Sequence, residues 1–161
     1  MKKRSVASVY LLTWITSAIY FFFWMFNIMR NLNVIMGNKV FDLKKKLVSI
    51  LGILVPYTII FCVLFINVKE NNTIHPIFMI AFLTNFFLAI LWFVLIVINL
   101  RQISESIAIV ETNNRLEKPI TKGKTTLFFF LYFIAIPYIQ YHMNRIIDVY
   151  NQNNSRKIEQ M

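Results

Sequence analysis

Acidic side chains are scarce in this 161-residue chain, seven against seventeen Lys and Arg, and none of them lies in a long apolar run. Chemistry at depth in a membrane needs paired acids, a nucleophile with its base, or a metal cluster. The chain has no Gly-x-Ser-x-Gly and no His-Glu-x-x-His, and its two histidines, His75 and His142, have no Cys or acid at ligand spacing. Both are expected to be interfacial polar residues; no metal or cofactor is expected, and the chain does not read as an enzyme. Ion-coupled transport usually places ionisable groups within the membrane, and these are missing as well. A single cysteine, Cys62, excludes an intrachain disulfide. The glycines, Gly37, Gly52 and Gly123, stand apart from one another, which excludes a Gly-rich phosphate loop.

What the chain has in abundance is uncharged apolar sequence. Four stretches, Val6–Met29, Leu47–Val68, Pro76–Leu100 and Thr125–Ile139, contain no Asp, Glu, Lys or Arg. The first three are long enough, at about 1.5 Å per residue, to cover a hydrocarbon core about 30 Å thick. With 58% hydrophobic residues and mean hydropathy +0.60, the fold class is an all-α integral membrane protein. Its four helical segments fall at about 6–29, 47–68, 76–100 and 125–143, and the middle two form a transmembrane hairpin across the short link Lys69–His75. A secretory signal over Lys2–Ala18 is disfavoured, because the apolar run continues without pause through Phe26. The whole chain, 1–161, reads as one membrane domain with a flexible polar tail at 151–161.

Punctuation along the chain refines this picture. Ile28, Leu32 and Ile35 carry the first helix past its apolar run to Gly37, a natural C′ stop. Pro56 removes a backbone donor inside segment two, and a kink is expected there. Ile103, Ile107 and Val110 extend segment three as an amphipathic helix lying on the membrane or on a neighbour. Segment four is short, and Pro137 interrupts it. Ser49 and Gly52 share one face of segment two; Ala81, Asn85 and Ala89 recur at four-residue spacing on segment three. These are the candidate helix-packing faces, with Asn85 supplying an interhelical hydrogen bond. Overpacking at Gly52 or Ala89 is expected to weaken folding.

The net charge of +10 points to anionic headgroups as the partner and not to nucleic acid. Four plain spans with a cytoplasmic N-terminus would leave seven basic residues inside and ten outside, against the positive-inside rule. If segments one and four instead enter and leave on the same side, sixteen lie inside and only Lys69 outside. The first and last segments therefore span or re-enter. Re-entry of both is favoured over four plain spans, with Thr16-Ser17-Ala18 as the turn of the first, although the length of segment one argues for spanning.

Several short motifs resemble a family of small bacterial membrane proteins known as domain of unknown function number 4234. They are Arg4-Ser5-Val6, Ile15-Thr16-Ser17-Ala18-Ile19-Tyr20 with Trp24, Leu32-Asn33, and Gln140 with Met143-Asn144-Arg145. The motif residues so marked are Arg4, Ser5, Thr16, Ile19, Tyr20, Trp24, Asn33, Gln140 and Asn144. Two glycines of the family pattern are replaced, by Ala18 and Phe21. The resemblance implies a multi-pass protein of the bacterial cytoplasmic membrane and brings no activity with it. Function is expected to be contact, with lipid, another membrane protein or a second copy, as an accessory, scaffold or immunity-type factor. The alternative is a small transporter or channel subunit working as an oligomer.

Overall fold

The computed structural model describes residues 3–15, 19–70, 76–130 and 134–160, all helical or connecting, with no strand among them. The helices are α1 (Val6–Ile15), α2 (Ile19–Met36), α3 (Leu43–Glu70), α4 (Pro76–Asn113), α5 (Lys122–Phe130) and α6 (Ala135–Glu159). The single domain expected from the sequence divides into two compact units, 1–43 with 99–161, and 44–98.

The first unit holds most of the buried core. On α2 the buried side chains are Phe21, Trp24, Met25, Ile28, Met29 and Leu32. That three-and-four spacing presents one continuous apolar face. Leu100, Ile103, Ile107 and Val110 line up in the same way on α4, which runs without interruption from segment three. Ile136, Ile139, Met143, Ile146 and Ile147 do so on α6, which packs against both α1 and α5. Each such side chain contributes about 1.5–3 kcal/mol on leaving water.

One segment divides and two expectations change here. Segment one is two helices: α1 and α2 pack side by side, and Arg4 Nη1 donates to the Tyr20 hydroxyl at 2.9 Å. In one straight helix those residues would lie about 24 Å apart, beyond the reach of both side chains. The proposed turn, Thr16-Ser17-Ala18, falls outside the described residues. Pro137 does not interrupt a helix; it sits in the first turn of α6, where its missing N–H is not needed. The tail is no loose end, since α6 continues to Glu159 as a solvated helix, propagation from a well-packed first half requiring only one bond per added residue.

Gly37 ends α2 as expected, with φ 66° and its N–H on Val34 O. The α4 terminus is closed differently. Arg115 adopts φ 53°, its N–H reaches Thr112 O, and the Leu116 N–H reaches Glu111 O at 2.9 Å. This pair of bonds is a Schellman closure with an arginine at the position that glycine usually takes. The left-handed backbone costs about 1–2 kcal/mol there, so other contacts must hold it.

Two helical stretches are long and apolar enough to cross a membrane, Leu43–Leu64 and Met79–Asn113, and the second unit holds residues 44–64 and 79–98 of them. Only 11% and 6% of their most apolar stretches are buried, unlike the core helix of a water-soluble protein. Val48, Ile59, Ile80 and Phe87 are among the large apolar side chains left exposed.

Candidate functional site

Most of the motif residues with described side chains meet around α6. Trp24 Nε1 donates to Gln140 Oε1 at 2.7 Å, and Gln140 Nε2 donates to Asn144 Oδ1 at 2.8 Å. Asn144 in turn grips the chain ahead of α1: its Oδ1 accepts from the Arg4 N–H at 3.3 Å, and its Nδ2 donates to Arg4 O at 2.8 Å. Arg4 then reaches Tyr20, while Lys3 pairs with Asp148 at 2.7 Å. Trp24 and Gln140 are buried, so this chain of amides replaces water for groups that would otherwise be costly to bury.

Asn33 makes the same two-handed grip elsewhere. Its Nδ2 donates to Phe41 O and its Oδ1 accepts from Phe41 N–H, both at 2.8 Å, which fixes the α2–α3 connection. Ser5 approaches the Ser8 N–H at 3.4 Å, at the start of α1. Thr16 lies outside the described residues; Ile19 opens α2, and its side chain is likewise outside them.

A second cluster was not visible in the motifs. Glu111 is fully buried; its Oε2 accepts from the Ile120 N–H at 2.8 Å and its Oε1 lies 2.7 Å from His142 Nδ1. Arg145 Nη1 stands 3.4 Å from the same carboxylate, and Nη2 donates to Glu117 O at 2.6 Å. An ionised carboxylate only accepts, so the imidazole presents Nδ1–H to it. The expectation for His142 is thereby corrected: it is buried, not interfacial, and its acid partner lies 31 positions upstream, where ligand spacing could not reveal it. Tyr138 meets its ring edge-on at 4.7 Å. An acid orienting an imidazole is half of a nucleophilic site. Among the described residues no hydroxyl or thiol is hydrogen-bonded to the ring, and through Glu111 His142 is joined to the backbone of Ile120. His75 lies outside the described residues, which contain no metal-sized group of His, Cys, Asp and Glu.

Glu111 is the anchor of the turn into α5. Its backbone carbonyl closes the α4 terminus, its carboxylate holds Ile120, and Arg145 ties down residues 117 and 118. Each non-helical connection described here is thus held by one helix side chain: Asn144, Asn33 or Glu111.

The packing candidates separate. Ala81, Asn85 and Ala89 are half-buried, and Asn85 Oδ1 is buried with no partner among the described residues. Ser49 and Gly52 are exposed, which corrects their assignment. The Ser49 hydroxyl turns back to Lys45 O at 2.9 Å, and a Cβ at Gly52 would meet nothing within 4 Å.

Two cavities lie within the first unit. One, of about 450 Å³, brings Asn38, Asn113 and Asn153 together with Met36, Val110 and Tyr150. The other, of about 640 Å³, is lined by Lys3, Arg4 and Ser8 from the α1 end and by Tyr20, Asn27 and Arg30 from α2. No family model, curated protein or solved structure matches the chain.

Proposed function

We propose that the chain is a multi-pass protein of the bacterial cytoplasmic membrane that acts by contact with lipid or with other membrane proteins, not by catalysis. The observation that carries this reading is the contrast between the units. One ties down its connections with hydrogen bonds from buried polar groups, and the other leaves the apolar lengths of α3 and α4 that fall within it largely uncovered. Exposed apolar surface on that scale is at home in lipid, where it needs no further cover. Membership of the domain of unknown function 4234 family is part of the proposal, resting on the motif residues gathered at α6.

The topology proposed has α3 and α4 crossing as a hairpin while segments one and four enter and leave on the cytoplasmic side. Charge supports it, since sixteen Lys and Arg then share one side with the N-terminus. Proximity supports it independently. Asn38, Asn113 and Asn153, which four plain spans would distribute over both sides, line one cavity. Glu111 and Glu117, ahead of segment four, bond to His142 and Arg145 beyond it. A membrane about 30 Å thick cannot pass between partners at hydrogen-bond distance.

Alkaline carbonate extraction and single-cysteine labelling of intact cells test the reading. In a Cys62→Ser background, cysteines replace Asn38, Asn72, Asn113 and Asn153 one at a time. The expected result is a carbonate-resistant protein labelled from outside at position 72 alone. Release by carbonate refutes membrane integration; labelling at 38 and 113 but not 72 refutes re-entry in favour of four spans with both ends inside. Labelling at both 72 and 153 would mean that segment four spans.

A further inference from the structure

The cavity between the start of α1 and α2 has a lining of one electrical sign. Lys3, Arg4 and Arg30 contribute the charge; Ser5, Ser8, Tyr20, Asn27 and Asn31 contribute neutral hydrogen-bonding groups; no acidic side chain lines it. Asp148 offsets the charge of Lys3. Neither Arg4 nor Arg30 has a carboxylate partner among the described residues, and the side chains of Asn27, Arg30 and Asn31 make no hydrogen bond among them. Two arginines line one space, and an anion between them would offset their like charge. Arg4 is not free to turn away, because Asn144 holds its backbone on both sides and Tyr20 holds its side chain. Arg30 stands on the fourth turn of α2, its backbone fixed by the buried neighbours Ile28, Met29 and Leu32.

From this arrangement we propose that the cavity binds the phosphate of an anionic phospholipid headgroup. Guanidinium forks match phosphate oxygens in pairs, and serine hydroxyls and amide N–H groups supply the remaining donors. At about 640 Å³ the space falls within the usual range of small-molecule sites, about 300–1,000 Å³. Exposed Lys3, Ser5, Ser8 and Arg30 leave its mouth open. On the topology above, the cavity lies on the same side as the other basic residues, where the headgroups of anionic lipids are found. The proposal rests on the membrane reading and names the lipid class that the basic unit takes.

The test uses the full chain in detergent micelles, with binding of dihexanoyl phosphatidylglycerol followed by native mass spectrometry. Dihexanoyl phosphatidylcholine and inorganic phosphate serve as the other probes. Arg30→Glu reverses the exposed charge, and Ser8→Asp places a carboxylate in the cavity from the first turn of α1, where an acid suits the helix. Arg156→Glu, on the exposed end of α6, is the charge control. Phosphatidylglycerol binding is expected to weaken about tenfold or more in both cavity variants, the loss of one charged hydrogen-bonding group, and to be unchanged in the control. Phosphatidylcholine and inorganic phosphate are expected to bind at least about tenfold more weakly than phosphatidylglycerol. Equal loss in Arg30→Glu and Arg156→Glu would overturn the site, as would equal binding of the two lipids. Inorganic phosphate binding as tightly as phosphatidylglycerol would overturn the lipid source. Any of these results leaves carbonate extraction untouched, so failure of this proposal and failure of the membrane reading are told apart.

Discussion

Replacing Glu111 with Ala is expected to be among the most damaging single changes in the chain. The carboxylate is fully buried and holds three groups: Ile120 N–H, His142 and Arg145. Its removal leaves the Ile120 N–H buried without an acceptor, about 1–3 kcal/mol by itself. It also strips His142 and Arg145 of their anion, and breaking a buried charged cluster by deleting one partner costs about 3–5 kcal/mol in all. For a protein of this size that is a fall in thermal midpoint of about 6–20 °C. Glu111→Gln keeps an acceptor for Ile120 and an N–H for an imidazole in its other tautomer, so it should cost only about 1–2 kcal/mol. The damage should also be local, because Glu111 pins the turn in which Arg115 and Lys118 adopt left-handed backbone. Limited trypsin digestion should therefore cut after Arg115 in the Ala variant and spare the native chain; Pro119 protects the bond after Lys118 in both. In a double-mutant cycle, Glu111→Ala with His142→Ala should be little worse than Glu111→Ala alone. A midpoint shift below about 2 °C, or strict additivity of the two substitutions, would refute the role given to this carboxylate.

Trp24→Phe should destabilise the first unit by about 1–3 kcal/mol, since Gln140 Oε1 loses its buried donor; Gln140→Leu in that background should recover part of the loss in the same thermal assay. Gly52→Leu should change the thermal midpoint in detergent by the equivalent of less than about 0.5 kcal/mol, the reverse of what the sequence suggested, because its Cβ would point into open space. A large loss there would restore the Ser49/Gly52 face as a packing surface.

What could be read from the sequence was local. The stop at Gly37 depends on one residue's conformational freedom, and the extension of α4 through Ile103, Ile107 and Val110 depends on spacing within three turns. Both are visible in any window that contains them. The pairings that organise the first unit are of another kind. His142 meets an acid 31 positions away, Trp24 meets Gln140 across 116, and Asn144 grips Arg4 across 140. No periodicity encodes such contacts; the motif resemblance marked Trp24, Gln140, Asn144 and Arg4 without saying what they do. Glu111 had no signal at all, as one acid among polar neighbours on a stretch that looked solvated. The break in segment one was foreseen only through charge, because an apolar run of twenty-four residues reads as one helix until something in its tertiary setting folds it back.

Charge and hydrogen bonding support the proposed topology by separate routes. The positive-inside count concerns only where Lys and Arg fall, and it favours re-entry without reference to any contact. The contacts at Asn144, Glu111 and Arg145 involve few of those charges, yet they join the chain ahead of segment one to α6 and the turn ahead of segment four to the residues after it. Amides and buried acids of this kind are costly to leave unsatisfied, so they constrain the backbone more tightly than surface lysines do. A variant set that moved the charges alone, for example Lys44, Lys45 and Lys46 to Gln, would weaken the orientation signal and leave these bonds in place. Retention of outside labelling at position 72 alone in that variant would mean that the hydrogen-bonded clamps, more than the charge bias, hold segments one and four on one side.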